Sequence, residues 1–172
     1  MKNNRTIFSP VDGEIIPKNQ VKDEVFRKEF FGKGISIYPS SNKIVSPVSG
    51  IIESIAKDGH SVIIKADCGV RIWIYIGADI VELNGIYIEK FVEDKKKVKV
   101  GTLLLDCDFY EMEKLRYDIE ITITVLQQEN IFEVIQLKEG RIKRKKRVAG
   151  ILFHHIDSIG GQCGAGTVTA AL

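Results

Sequence analysis

A seven-residue stretch, Ser9-Pro10-Val11-Asp12-Gly13-Glu14-Ile15, recurs 37 residues later as Ser46-Pro47-Val48-Ser49-Gly50-Ile51-Ile52. Each copy reads as a strand end, a proline turn and a glycine that opens a new strand. Proline fixes φ and has no N–H to give a central ladder, so each copy marks a boundary between elements. The glycines are expected to supply the positive φ that a tight turn often needs. Two copies of such a unit predict quasi-duplicated β-modules.

The rest of the chain agrees with that reading. Residues 14–16, 34–38, 51–55, 61–66, 70–76, 102–107 and 119–125 are short runs, mostly rich in Ile and Val, and often bounded by Gly, Pro, Asn or Asp. Many short strands with frequent turns predict an all-β sandwich or barrel. The one helical signal is Asp108-Phe109-Tyr110-Glu111 leading into residues 112–116, where Asp108 is placed to cap and Glu111 to complete a capping box.

With 172 residues, 44% apolar and 28% charged, the chain is sized for one globular domain with a real core. No run of 18 apolar residues occurs and the first ten residues lack a signal-peptide apolar region, which predicts a cytoplasmic protein without stable membrane insertion. Cys68, Cys107 and Cys163 are odd in number and contain no C-x-x-C pair, so reduced thiols are expected rather than disulfides or a cysteine zinc site. Residues 138–147 hold seven basic side chains against Glu139. Such a run could attract nucleic acid or an anionic membrane surface. With no interleaved aromatics for base stacking, it reads instead as a solvated, self-repelling turn between strands, and no nucleic-acid partner is expected.

Chemistry centres on few residues. His154 and His155 adjoin near the C-terminus, while His60 follows the turn Lys57-Asp58-Gly59 and opens a strand. In residues 69–77, period-two alternation puts Ile72, Ile74 and Ile76 on one face and Trp73 and Tyr75 on the other. The isoleucines belong to a core. The two aromatics either cover a second layer or line a docking surface.

The stretches FSPVDGEI, EVFRKEFFGKGISIYPSSNKIVSPVSG, DGHSVIIKADCGV, IYIGADIVELNG and VKVGTLLLDCD, from Phe8 onward, resemble glucose-type enzyme IIA of the bacterial phosphoenolpyruvate-dependent sugar phosphotransferase system. The likeness runs to about Phe153 and covers about 85% of the chain. It implies an antiparallel β-sandwich of the duplicated-hybrid or barrel-sandwich type with one or two short helices. The domain then spans residues 1–153, with residues 154–172 as a flexible extension.

The resemblance also implies a shallow apolar face with two adjacent histidines. One accepts a phosphoryl group from the histidine-containing phosphocarrier protein and passes it to the sugar-specific IIB/IIC component, and the other supports the phosphate. His60 matches the supporting histidine, and Tyr75 stands at the accepting position. Asp79 matches the motif's aspartate; Ile80 and Asp58 each stand where the family commonly has threonine. Phe26 and Trp73 match aromatic docking positions, and Ala56 replaces a third.

A phenol with a pKa of about 10 is a poor nucleophile at neutral pH beside an imidazole of about 6.5. A phosphotyrosine ester is also far more stable than the labile P–N bond of a phosphohistidine, so it would end a relay. Asp58 is expected to repel an incoming anion at His60. The expected function is therefore a degenerate, non-phosphorylatable binding or regulatory version of enzyme IIA, the alternative being a phosphocarrier that uses His60.

Three further classes fit the sequence less well. SPVxG turns and the segment Val98-Lys99-Val100-Gly101-Thr102 also suit biotinyl or lipoyl carrier domains, but no lysine has the flanking residues of a modified one. Lysostaphin-type zinc endopeptidases need an H-x-H pair, which the chain lacks. A zinc ion shared between paired histidines and a partner's carboxylate would lose one ligand here, so neither metal nor cofactor is expected.

Overall fold

The computed structural model of the chain describes residues 6–129 and 131–153. Among them the elements run β1 Thr6–Phe8, β2 Gly13–Ile16, α1 Glu24–Arg27, β3 Gly34–Pro39, β4 Lys43–Val45, β5 Gly50–Ile55, β6 Ser61–Ala66 and β7 Arg71–Ile76. They continue as β8 Ile88–Lys90, β9 Lys97–Val98, β10 Leu103–Cys107, α2 Phe109–Lys114, β11 Ile121–Val125, β12 Ile131–Gln136, β13 Arg141–Ile142 and β14 Arg147–Phe153. An open eight-stranded sheet has the order β13-β2-β3-β11-β7-β6-β5-β9, and two three-stranded sheets have the orders β1-β14-β12 and β4-β10-β8. The architecture is thus an antiparallel β-sandwich with two short α-helices and no closed barrel, as the sequence led us to expect. His154, His155 and the whole of residues 154–172 lie outside the described residues.

The sequence repeat is a structural repeat. β1 and β4 start 37 residues apart, as do β2 and β5, while β13 and β14 follow β9 and β10 by 44 residues. The registers agree in detail: β1 meets β14 at Thr6↔Gly150, Ile7↔Ala149 and Phe8↔Arg147, and β4 meets β10 at Lys43↔Asp106, Ile44↔Leu105 and Val45↔Leu103. The irregularity falls at the same place in both pairs. The two copies also grip each other reciprocally, since Phe8 N donates to the Pro47 carbonyl at 3.0 Å and Val45 N to the Pro10 carbonyl at 2.8 Å. Ser9 and Ser46, both fully buried, each donate a hydroxyl to the carbonyl two residues on, Val11 at 2.7 Å and Val48 at 2.6 Å. A buried carbonyl is thereby satisfied in each turn.

The repeat glycines depart from expectation. Neither Gly13 nor Gly50 has positive φ. A Cβ on Gly13 would lie 2.2 Å from the Tyr38 carbonyl oxygen, and one on Gly50 2.2 Å from that of Lys65. Glycine is required because the neighbouring strand's backbone occupies the side-chain space, not because the turn is left-handed.

One apolar core joins all three sheets, with Ile37, Ile44, Ile52, Ile64, Ile72, Ile74, Ile76, Leu104 and Leu105 fully buried. Each such side chain contributes about 1.5–3 kcal/mol relative to exposure. The expected helix forms as α2, closing over the core through Phe109 and Met112. Asp108 accepts from Glu111 N at 3.1 Å, but the capping box is half made, because Asp108 N donates to the Tyr87 carbonyl and Glu111 pairs with Lys114. Only part of the basic run is a turn: residues 141–142 form β13, residues 143–146 the turn, and Arg147 opens β14, with Arg144 tied to Asp12 at 3.3 Å.

Candidate functional site

The outward face of the central strands carries the site. β11 pairs with β7 at Thr122↔Tyr75 and Thr124↔Trp73, and with β3 at Thr122↔Ser36. Opposed residues share a face, so small hydroxyl side chains line up beside two aromatics. Ile72, Ile74 and Ile76 are fully buried on the other side, as alternation demands. Ser36 and Thr122 bond each other at 2.7 Å, which satisfies two hydroxyls beneath the cover that α1 provides.

That cover was missed in the sequence. Asp23 caps α1 by accepting from Val25 N at 2.8 Å, and the single turn brings Phe26 down onto the sheet. Phe26 lies 5.3 Å from Trp73 and 5.1 Å from Tyr75, centroid to centroid. Trp73 and Tyr75 are 5.3 Å apart in a near-perpendicular arrangement. Phe31 then packs edge-on against Trp73 at 5.3 Å while remaining half exposed. Aromatic rings prefer such tilted and T-shaped contacts because ring edges are positive and faces negative. The indole N–H of Trp73 donates to Ser61 Oγ at 2.7 Å, which fixes the ring.

His60 joins this cluster from the adjoining strand. β6 pairs with β7 at Ser61↔Tyr75, and Ile76 N donates to the His60 carbonyl at 2.9 Å. The imidazole consequently meets Tyr75 edge to face at 5.5 Å and 89°. The turn preceding it needs Gly59 at φ +80°, and an added Cβ would press on Ile88 at 2.6 Å. His60 Nδ1 is 2.6 Å from Asp58 Oδ1, and both side chains are largely covered. Nδ1–H therefore donates to the carboxylate, so the remaining lone pair of a neutral ring sits on Nε2. The Asp58 carboxylate, expected to repel an incoming anion, is thus hydrogen-bonded to the His60 ring.

Tyr75 keeps its proton. Burial first, then the charges of Asp23, Asp79 and Asp58, push its phenol pKa above the ordinary value. Its hydroxyl faces the Ala78 carbonyl at 3.5 Å. Asp79 is exposed at the start of a 3-10 turn, makes no side-chain cap bond, and bears on the site through its charge. Ile80 is buried beneath that turn, and Ala56 sits half-buried in the hairpin before His60. Phe26, Trp73, Tyr75, His60 and Asp58 thus meet in one place, with Asp79 at the edge. Phe31 and Asp23 complete it; the paired Phe30-Phe31 before Gly32 and the Asp23-Glu24 cap were the available signals. Among the described residues no group of three or more His, Cys, Asp or Glu side chains is arranged to hold a metal ion.

Comparison with known proteins points to one family. Residues 5–131 match the family described as phosphoenolpyruvate-dependent sugar phosphotransferase system, EIIA 1. The PTS system glucose-specific EIIA component of Buchnera aphidicola is 35% identical over 150 residues, covering 86% of this chain and 91% of that one. The beta-glucoside-specific EIIBCA component of Bacillus subtilis is 32% identical over 146 residues, which are 84% of this chain but 24% of that longer one. Among solved structures, glucose permease IIA from Mycoplasma capricolum superposes with a TM-score of 0.78 at 32% identity, covering 84% of this chain and 93% of that one. A family match over residues 5–131, together with relatives 32–35% identical over more than four-fifths of the chain, places it in the EIIA 1 family of the phosphoenolpyruvate-dependent sugar phosphotransferase system.

Proposed function

We propose that the chain is a cytoplasmic, glucose-family EIIA component that binds its phosphotransferase-system partners without carrying phosphate. The observation behind this reading is Tyr75: a half-buried phenol, held protonated by burial and three aspartates, occupies the strand position beside His60. A neutral phenol is a weak nucleophile, and the ester it would form does not pass its phosphate on. Phe26, Phe31 and Trp73 offer the apolar contact area for the histidine-containing phosphocarrier and for a sugar-specific IIB/IIC component.

One observation favours a second reading. The Asp58–His60 pair resembles the way an orienting carboxylate activates a histidine, and it leaves Nε2 free to accept phosphate. The two readings part in a single assay. The protein is mixed with phosphoenolpyruvate, enzyme I and the histidine phosphocarrier, and intact mass is recorded before and after mild acid. No phosphoryl gain, with phosphocarrier binding visible by NMR titration, is the expected result. An acid-labile gain on His60 would establish the carrier reading instead.

A further inference from the structure

The fold joins two basic segments that the sequence keeps apart. Residues 95–99 carry four lysines and residues 141–147 six cations, neither with an acid, so ten positive charges stand against eight net negative on the remainder of a chain of +2. The internal repeat aligns them: Lys99 and Lys143 hold equivalent places in turns where Thr102 N donates to the Lys99 carbonyl and Lys146 N to that of Lys143. Gly101 N and Lys145 N donate in turn to the carbonyls of Ser46 and Ser9, the paired residues of the repeat. The tips touch, since a Cβ on Gly101 would lie 2.3 Å from Lys145 Cε. β9 and β13, which lead into these turns, are the two edges of the eight-stranded sheet, whereas the aromatic cluster occupies its middle strands.

Lys97, Lys99, Lys143, Lys145, Lys146 and Arg147 are exposed, and none forms an ion pair among the described residues; Arg144 alone is held, by Asp12. From this convergence we propose that the joined turns form a surface that binds the anionic headgroups of a membrane, leaving the aromatic face uncovered. The chemistry favours a charged plane over a nucleic acid. Seven of the ten cations are lysines, point charges on flexible stems without the planar fork that reads bases. No aromatic residue lies within either segment to stack on bases. Unpaired lysines on two adjoining turn tips can reach one anionic surface together, each adding about fivefold to partitioning. Attraction of this kind is screened by salt over roughly 10 Å at 0.1 M.

The test is sedimentation of the full chain with phosphatidylcholine vesicles, with and without about one-third phosphatidylglycerol. The protein is expected to co-sediment with the anionic vesicles only and to be released by high salt. Changing Lys97, Lys99, Lys143 and Lys145 together to Glu should reduce that partitioning by more than about 100-fold. The same four changed to Gln should reduce it less, in the same direction. A control with Lys18, Lys28, Lys33 and Lys114 changed to Glu alters net charge equally and should retain most of the binding. Equal loss in the control, binding to neutral vesicles, no binding to anionic ones, or tighter binding to duplex DNA at the same salt would each overturn the proposal.

Discussion

Replacing Tyr75 by His tests whether one ring decides the chemistry of this face. At pH 7 a phenol of ordinary pKa about 10 is ionised in about one molecule in a thousand, and burial with Asp23, Asp79 and Asp58 lowers that fraction further. An imidazole near 6.5 is unprotonated in roughly three molecules of four, so the competent nucleophile becomes on the order of 1,000 times more abundant. The smaller ring fits the space, because Tyr75 stands 5.1 Å from Phe26 and 5.5 Å from His60 and its hydroxyl has only a 3.5 Å contact with Ala78. Lost aromatic contact should cost about 1–2 kcal/mol, a few degrees in Tm. In the phosphoenolpyruvate assay the Tyr75→His protein should gain one acid-labile phosphoryl group while the parent does not. A folded variant that binds the phosphocarrier yet stays unmodified would refute the assignment of the block to Tyr75 and shift it to Asp58 and Ile80. Phosphorylation of the unaltered protein would refute it directly.

Other consequences can be measured separately. Gly13→Ala and Gly50→Ala each force a Cβ to within 2.2 Å of a neighbouring carbonyl, so each should cost about 3 kcal/mol or more in urea unfolding, and by similar amounts because the sites are equivalent. Trp73→Ala removes the ring that Phe26, Phe31 and Tyr75 share, and should weaken phosphocarrier binding by NMR titration on the order of 10- to 30-fold while the fold persists. Glu120 is buried, and desolvation raises its pKa in the folded state despite the N–H of Lys22 at 3.2 Å. A raised carboxyl pKa means that stability is fully present below the unfolded value and declines as pH rises through the folded one. Glu120→Gln should therefore raise Tm at pH 7, and the gain should vanish near pH 4; a gain independent of pH would exclude ionisation as its cause.

The sequence was most informative where one residue acts through its immediate neighbours. Alternation alone placed Ile72, Ile74 and Ile76 inside and Trp73 with Tyr75 outside, because a strand's pleat fixes those directions whatever the sheet around it. Asp108 was legible as a cap for the same local reason. Phe31 was not, since the chain leaves α1 through Glu29 at φ 56° and Gly32 at φ 140°, and no helical or strand period carries a side chain's direction across such a reversal. The repeat glycines were found for a reason that failed: conformational freedom was expected, whereas the constraint is a carbonyl on the adjoining strand, and only pairing reveals it. Most hidden was the partnership of the basic turns. Residues 95–99 and 141–147 look like two unrelated solvated runs until the hydrogen bonds from Gly101 to Ser46 and from Lys145 to Ser9 set them on matching sides of the repeat. The short SPVxG echo was visible in one dimension, and its largest consequence, a concentration of positive charge remote from the acidic aromatic face, exists only in three. A duplicated fold can thus assemble a surface from segments that share no motif, because the symmetry resides in the strands between them.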